Sequence, residues 1–357
     1  MTLSSLSQII KDKKNWDKII EGFKENDIYF SYNYFVPFRN YGDGEPVLYY
    51  FECDWGKVAY PFMLRDIARS ENFDGKIAEG SYFDISSAYG YGGPLYEIYG
   101  QTETETNLSD EFFKNFSDFC KRSNIISQFD RFHPLIKNQL FFKEYCTISC
   151  IRKTVYIDLC SKEEIWNNIE SKCRNMIRKA EKNNVSIVLD DDIKTLEDFI
   201  CIYTSTMNHN QAIKYYYFNN KFFYDIIDSL GKNVFIVNAY YEGKVIASSL
   251  IMRYGKYLHY HLSGALKDFR ELQANSLLLY EVAKWGSENG YKKFHLGGGY
   301  TSEDDSLYKF KKSFSKREDN DFFIGKKIYN KEQYDYLMNV LGENCEDSSF
   351  FPAYRKR

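Results

Sequence analysis

Lys311 sits where the sequence pattern calls for a hydrophobe. In the run Ser306-Leu-Tyr-Lys-Phe-Lys-Lys-Ser-Phe314, Leu307, Phe310 and Phe314 fall at i, i+3 and i+7, the spacing of one buried helical face, and Lys311 fills the i+4 place on it. Burying an ammonium without a partner is costly. The side chain must therefore either snorkel to the rim or point its charge into a polar cleft lined by its neighbours. A cation fixed in such a cleft suits one chemistry well: holding the oxyanion that develops when a nucleophile attacks a carbonyl. Lys309 and Lys312 point elsewhere and read as surface charges.

Other residues could take part in the same chemistry. Gly297-Gly298-Gly299 could present backbone N–H groups to an anion, or simply let a strand turn tightly beside a cleft. Tyr89-Gly-Tyr91-Gly-Gly-Pro94 combines a freely bending backbone with two phenols, which suits an acceptor-binding loop and equally suits an aromatic-packed turn. Arg174, Arg178 and Lys182 form an i, i+4, i+8 stripe, apt for phosphate or carboxylate and also the ordinary look of a solvated helix face. His295, Glu303, Asp304 and Asp305 are near Lys311 in sequence, but loop and cap carboxylates are common, and none is assigned as general base. His133, before Pro134, reads as a turn residue.

The elements that position Lys311 are legible from His259 to Phe314. Tyr257–Leu262 alternates as a strand, and Leu272–Glu288 repeats Ala274, Leu278, Val282 and Trp285 at helical spacing. Lys293–Leu296 is a second strand, the glycine loop follows, and Asp304, Asp305 and Ser306 offer caps to the lysine helix. Upstream, the first thirty residues read as a lysine-rich amphipathic helix and Ile28–Asn33 as a strand, followed by a hairpin of Val47–Cys53 with Lys57–Leu64. Phe83–Ser86 and Ile125–Phe132 read as strands and Leu108–Arg122 as a helix. A strand at Thr154–Leu159 leads into one helix over Lys162–Asn183, with Trp166 turned away from the later turns of the arginine stripe.

The 357 residues suit two domains. A net charge of −3 gives no global attraction to nucleic acid or acidic membrane, so any such contact must be a local patch. The eight cysteines form neither CxxC pairs nor a cluster with histidine, so neither a metal site nor a disulfide framework is expected. No stretch approaches the roughly 18 apolar residues of a membrane span. The expected location is cytoplasmic, with peripheral contact at an inner membrane face left open.

In that order of elements, residues 153–316 resemble the Fem-type (FemAB-like) peptidoglycan-bridge aminoacyltransferases of the GNAT acyltransferase superfamily. The runs that carry the resemblance are Thr154-Val-Tyr-Ile-Asp-Leu159, Lys172-Cys-Arg-Asn-Met-Ile-Arg-Lys-Ala180, Tyr203-Thr-Ser-Thr-Met207, Tyr215-Tyr-Tyr-Phe218, Gly297–Gly299 and Ser306-Leu-Tyr-Lys-Phe-Lys311. The first half, with Tyr89–Pro94 and Phe132-His-Pro-Leu135, looks like the degenerate first domain of the same family.

The resemblance implies an α/β (more strictly α+β) fold of two GNAT-like domains, each a mixed, mostly antiparallel sheet flanked by helices. The expected limits are 1–150, 151–316 and a terminal strand, helix and tail at 317–357 that could pack back on the first domain. It implies an N-acyltransferase that moves an aminoacyl or acyl group to an amine of a cell-envelope precursor, either a small molecule or lipid-linked. No bound cofactor is expected; the co-substrate would be aminoacyl-tRNA or an acyl thioester of coenzyme A or a carrier protein. In the resemblance Phe310-Lys311 matches the dipeptide that stabilises the tetrahedral intermediate. Tyr89, Tyr91, Arg174, Arg178, Gly298 and Gly299 are substrate-binding candidates. His209 joins them, standing where relatives often carry arginine. Coenzyme-dependent relatives hold pyrophosphate on a glycine-bearing loop at the start of the central helix. This chain has Arg270-Glu-Leu-Gln-Ala-Asn275 there, which counts against coenzyme A. Two alternatives remain: a thioester-dependent acyltransferase on an amino sugar or amino acid, and a non-catalytic protein binding RNA or a glycan through the arginine stripe.

Overall fold

The computed structural model describes residues 5–100, 104–211, 214–300, 305–342 and 350–356. The chain divides into two compact units, Met1–Ile151 with Phe322–Arg357, and Arg152–Asp321. Glu303 and Asp304 lie outside the described residues.

The sheet of the second unit runs Ser186–Asp190, Val234–Tyr241, Lys244–Tyr254, Tyr257–Ala265, Lys293–Gly298 and, from Arg152 on, Thr147–Asp158. Its neighbours pair antiparallel except Tyr257–Ala265 with Lys293–Gly298, which are parallel. A parallel pair needs a crossover. Helix Ala274–Glu288 supplies it, burying Leu277, Leu278, Leu279, Val282 and Ala283. Gly286 lets it settle on the sheet, since a Cβ there would meet Leu258 Cδ1 at 2.6 Å and Leu159 Cδ1 at 2.8 Å.

Where one helix was expected over Lys162–Asn183, there are two, Lys162–Asn168 and Ser171–Lys182. Ile169 breaks them with an extended backbone (φ −73°, ψ 137°) and is fully buried, so hydrophobic burial at the break outweighs continued helical pairing. Both helices pack on Ala274–Glu288. A further helix, Leu196–His209, closes on strand Tyr257–Ala265 at Gly264, where a Cβ would meet Ile202 O at 2.7 Å. Thr206 Oγ1 bridges the two, accepting from the Ala265 N–H at 3.0 Å and donating to Ile202 O at 2.8 Å.

The first unit has a comparable plan. Its sheet runs Leu6–Ile10, Glu45–Cys53, Gly56–Asp66, Phe83–Ser86, Ile125–Arg131 and, from Phe322, Asn320–Ile328. Among its described strands one pair is parallel, Phe83–Ser86 with Ile125–Arg131, and it is joined by the crossover helix Thr104–Arg122. Phe112 and Phe116 of that helix pack on Tyr49 and Tyr60 of the sheet. Two expectations fail in this unit. The N-terminal helix is confined to Lys13–Glu21 and is preceded by strand Leu6–Ile10, whose partner, Glu45–Cys53, is far off in sequence. Ile28–Asn33 is no strand but a 3-10 turn, Ile28–Phe30, leading into helix Tyr32–Tyr41.

The end of the chain is held in this first unit. Arg355 Nε and Arg65 Nε each donate to the buried Asp84 carboxylate, at 2.5 and 2.6 Å, and the Tyr354 hydroxyl reaches it at 3.1 Å. Asn72 Nδ2 donates to the carbonyls of Tyr354 and Lys356, at 3.0 and 2.8 Å. Among the described residues no helix is long and apolar enough to cross a membrane.

Candidate functional site

The site is built where two parallel strands part. Tyr257–Ala265 and Lys293–Gly298 are registered only from Tyr257 opposite Lys293 to His259 opposite His295. Beyond that, Leu262–Ala265 follow Lys244–Tyr254, whereas Gly297 and Gly298 follow Val155 and Thr154. Both strands slip register as they part, at His261 on one and between His295 and Gly297 on the other. Such bulges re-aim side chains and release backbone groups at functional rims. Burial and the neighbouring His259 push the His261 imidazole down to about 3, so it is neutral. His259 and His295 meet edge to face at 5.7 Å.

The glycine loop follows the wedge, and each glycine is there for steric reasons. Gly297 takes φ +74°. A Cβ on Gly298 would meet Lys153 O at 2.7 Å, and one on Gly299 would collide with the Asp305 carboxylate. Asp305 caps helix Ser306–Lys312 through Tyr308 N–H at 2.9 Å and also accepts Tyr300 N–H at 2.5 Å. One carboxylate thus ties the loop to the start of the lysine helix.

Lys311 projects from that helix and is 8% exposed. It does not snorkel. Its Nζ donates to Gly298 O at 2.8 Å and lies 5.7 Å from the centre of the Tyr260 ring. Arg152 Nη1 donates to the next carbonyl, Gly299 O, at 2.9 Å, so two cations hold two successive carbonyls. Burial drives the Lys311 ammonium down to about 7; Asp305 opposes the shift and Arg152 adds to it. Near neutral pH this lysine is poised between cation and free amine. Either form has use at an acyl centre: the cation faces a developing oxyanion, and the amine accepts a proton.

The buried face of the helix is displaced by one residue from the expected one. Tyr308, Lys311 and Phe314 are buried, whereas Leu307 and Phe310 are partly exposed. Phe310 still packs edge to face on Phe314 at 5.4 Å.

The structure therefore gathers Lys311, Phe310, Gly298 and Gly299 into one cluster. His209 is exposed as the last residue of helix Leu196–His209; its neighbour Asn210 reaches the Tyr300 hydroxyl at 3.3 Å. Arg174 and Arg178 lie elsewhere in the second unit, and here the expected orientation of Trp166 is corrected. Once the chain breaks at Ile169, the Trp166 ring comes under both guanidiniums, at 6.0 Å from Arg174 and 5.1 Å from Arg178. Tyr89 and Tyr91 belong to the first unit. The Tyr89 carbonyl accepts the Tyr34 hydroxyl at 2.6 Å, and the Tyr91 ring packs on Tyr29 and His133, at 5.2 and 5.8 Å. His133 is more than a turn residue: its Nε2 is 2.9 Å from the Asp27 carboxylate and its Nδ1 accepts Ile136 N–H at 3.2 Å, both groups being fully buried.

Sequence reasoning missed Tyr260 and Arg152. Neither stands in a motif, and each reaches Lys311 or its loop only because strand order brings it there.

Comparison with known proteins bears on the fold and on the second unit's sequence. Residues 168–312 match the family described as acetyltransferase (GNAT) domain. A curated relative, the UDP-N-acetylmuramoylpentapeptide-lysine N(6)-alanyltransferase of Weissella viridescens, is 25% identical over 175 residues. That match covers 47% of this chain and 50% of the relative, so the chain spans about half the length of the protein it matches. Among solved structures, FemX superposes with a TM-score of 0.67 at 12% identity, over 94% of this chain and 99% of its own. L-PGS from Bacillus licheniformis superposes with a TM-score of 0.52 at 11% identity, over 93% and 95%. These two show a shared fold. The stretch matched to the acetyltransferase (GNAT) domain takes in the parted strands and ends just past Phe310-Lys311, and the curated relative and FemX make the chain similar to the Fem-type proteins in part of its sequence and in its fold.

Proposed function

We propose that this protein is an N-acyltransferase that moves an activated aminoacyl group onto an amine of a cell-envelope precursor. The observation that supports this best is Lys311, a buried lysine fixed on the Gly298 carbonyl beside the parted strands. The acceptor amine attacks the carbonyl of the donor ester, a C–N bond forms and the C–O bond breaks. The amine proton goes to the departing hydroxyl. Lys311, as the cation, stabilises the oxyanion between these steps, and Arg152 and Asp305 fix the loop on which it rests. The curated relative's name, an alanyltransferase acting on a pentapeptide lysine, supports an amine acceptor of the peptidoglycan-precursor class and an aminoacyl donor.

The donor favoured is an aminoacyl ester of RNA. The start of helix Ala274–Glu288 gives coenzyme A less support, because Gln273, left-handed at φ +59°, and Asn275 bring side chains where coenzyme-binding relatives carry glycine. The proposed acceptor is small or lipid-linked, and the reaction would place the protein at the cytoplasmic side of envelope synthesis.

The test offers aminoacyl-tRNAs and acyl-coenzyme A separately to the purified protein, with a panel of amine-bearing wall and nucleotide-sugar precursors, and follows product by mass spectrometry. Product from the tRNA ester, reduced about 100- to 1000-fold in Lys311→Ala, is expected. Product from the thioester alone would replace the donor assignment, and product undiminished in Lys311→Ala would remove the lysine from the mechanism.

A further inference from the structure

Two strands at the middle of the second unit's sheet carry small residues where they face each other. Ala247, Ser248 and Ser249 of strand Lys244–Tyr254 lie opposite Ala265, Gly264 and Ser263 of strand Tyr257–Ala265. Directly paired residues share a face of the sheet, and so do alternate residues along a strand. One face therefore takes Ser248 and Gly264, where helix Leu196–His209 closes, and the other takes Ala247, Ser249, Ser263 and Ala265. In a regular strand Tyr260 would point away from Ser263. The slip at His261 pairs Tyr260 with Ile251 instead, which brings Tyr260 onto the same face as Ser249 and Ser263.

The small residues give the Tyr260 ring room to lie along the sheet. Burial pushes its phenol above the ordinary value, the hydroxyls of Ser263 and Ser249 draw it partly back, and the Tyr300 phenol adds to the rise. The ring packs on the core that holds helix Ala274–Glu288. Fixed in this way, it turns toward Lys311, whose Nζ lies 5.7 Å from its centre. That is inside the roughly 6 Å at which an aromatic face attracts a cation, an attraction that a neutral amine does not share.

The other groups around Nζ divide over its charge. Burial disfavours the ammonium, the Asp305 carboxylate favours it and the Arg152 guanidinium opposes it. His261, next to Tyr260, is neutral. The Gly298 carbonyl takes one N–H at 2.8 Å, so carbonyl and ring together give the head group a direction while N–H remains for an oxyanion.

We infer that Tyr260 is a positioning residue of the acyl transfer: its ring face, anchored beside Ser249 and Ser263, keeps the Lys311 head group charged and turned to the carbonyl that is attacked. The inference rests on Lys311 serving as the cation for the oxyanion, but its main test needs no substrate, so the two can fail separately.

The titration of Lys311 would be followed in the full-length protein by carbon NMR with isotope-labelled lysine, its signal assigned from Lys311→Met. The wild-type midpoint is expected at about 7. Tyr260→Leu removes the face and should lower that midpoint by about one unit, whereas Tyr260→Phe keeps the face and should hold it. The signal of the exposed Lys309 should not move in either variant. In turnover, Tyr260→Leu should lose about five- to tenfold in kcat at pH 7 with KM little changed, and the pH at which the rate falls should move down with the midpoint. A purely structural role would lower rate and thermal midpoint together while the Lys311 titration stays at its wild-type place, and that result would overturn the inference. An equal shift in Tyr260→Phe would overturn it too, because the effect would then belong to the phenol. Should Tyr260→Leu not fold, Tyr260→Met supplies an apolar chain without a face and carries the same expectation.

Discussion

A lysine that titrates near neutrality costs the fold something, and the cost depends on pH in a definite direction. The folded state holds Lys311 at about 7, below its ordinary 10.5, so the unfolded chain binds the proton more tightly across the interval between them. Stability tied to this group is present above the unfolded value and is lost as pH falls through about 7. Lys311→Met, which keeps the length and removes the charge, should therefore raise the thermal midpoint at pH 7 and flatten its rise between pH 7 and 10, as calorimetry would show. Turnover should move the other way. If the cation is the working form, the wild-type rate falls as pH rises above about 7, and an ascending limb at the same place would make Lys311 the base. Lys311 was legible as a candidate because it breaks a periodic pattern. The face it belongs to was misjudged by one residue, since Tyr308 is amphipathic and its hydroxyl turns to Asp319 while its ring stays buried.

Elements whose partners are local in sequence were legible, and those made by distant partners were not. Strand, crossover helix, strand, glycine loop and lysine helix all follow from periodicity and caps within 257–314. Strand Leu6–Ile10 has no such signal; its exposed side chains carry little pattern and it exists because Glu45–Cys53 offers it an edge. The break at Ile169 was hidden because helical spacing continues across it, and with it went the true place of Trp166. At this scale the glycine loop makes a sharp prediction. Gly299→Ala forces a methyl group into the Asp305 carboxylate, which should loosen both the cap and the carbonyl pair under Lys311 and Arg152. A loss of about 1–3 kcal/mol in urea unfolding is expected, with a larger proportional fall in turnover. Gly290→Ala, at φ +83° with open space around it, should cost only the strain of its backbone and spare turnover.

Among the described residues one plan appears in both units: a mixed sheet in which a parallel pair of strands is joined by a crossover helix. In the first unit that sheet is completed by the end of the chain, and Asp84 shows what this completion is worth. Burial pushes its carboxyl up, but the guanidiniums of Arg355 and Arg65 outweigh burial and hold it below the usual range. Arg355→Ala would leave a fully buried carboxylate with one of its two cations, and a loss of about 3 kcal/mol is expected by chemical denaturation. Adding Asp84→Asn should recover part of it, because the uncompensated charge is then gone.

The first unit is interrupted in sequence by the second, and this sets an order of events during synthesis. Residues 152–321 emerge as an uninterrupted stretch and hold every strand of their own sheet except the leading residues of the one that enters it. The earlier unit is translated first yet must wait, its core open along the place of strand Asn320–Ile328 and its Asp84 short of a guanidinium, until Arg355 leaves the ribosome. The unit that carries Lys311 is one continuous stretch, whereas the other draws strand Asn320–Ile328 and a second guanidinium on Asp84 from residues far along the chain.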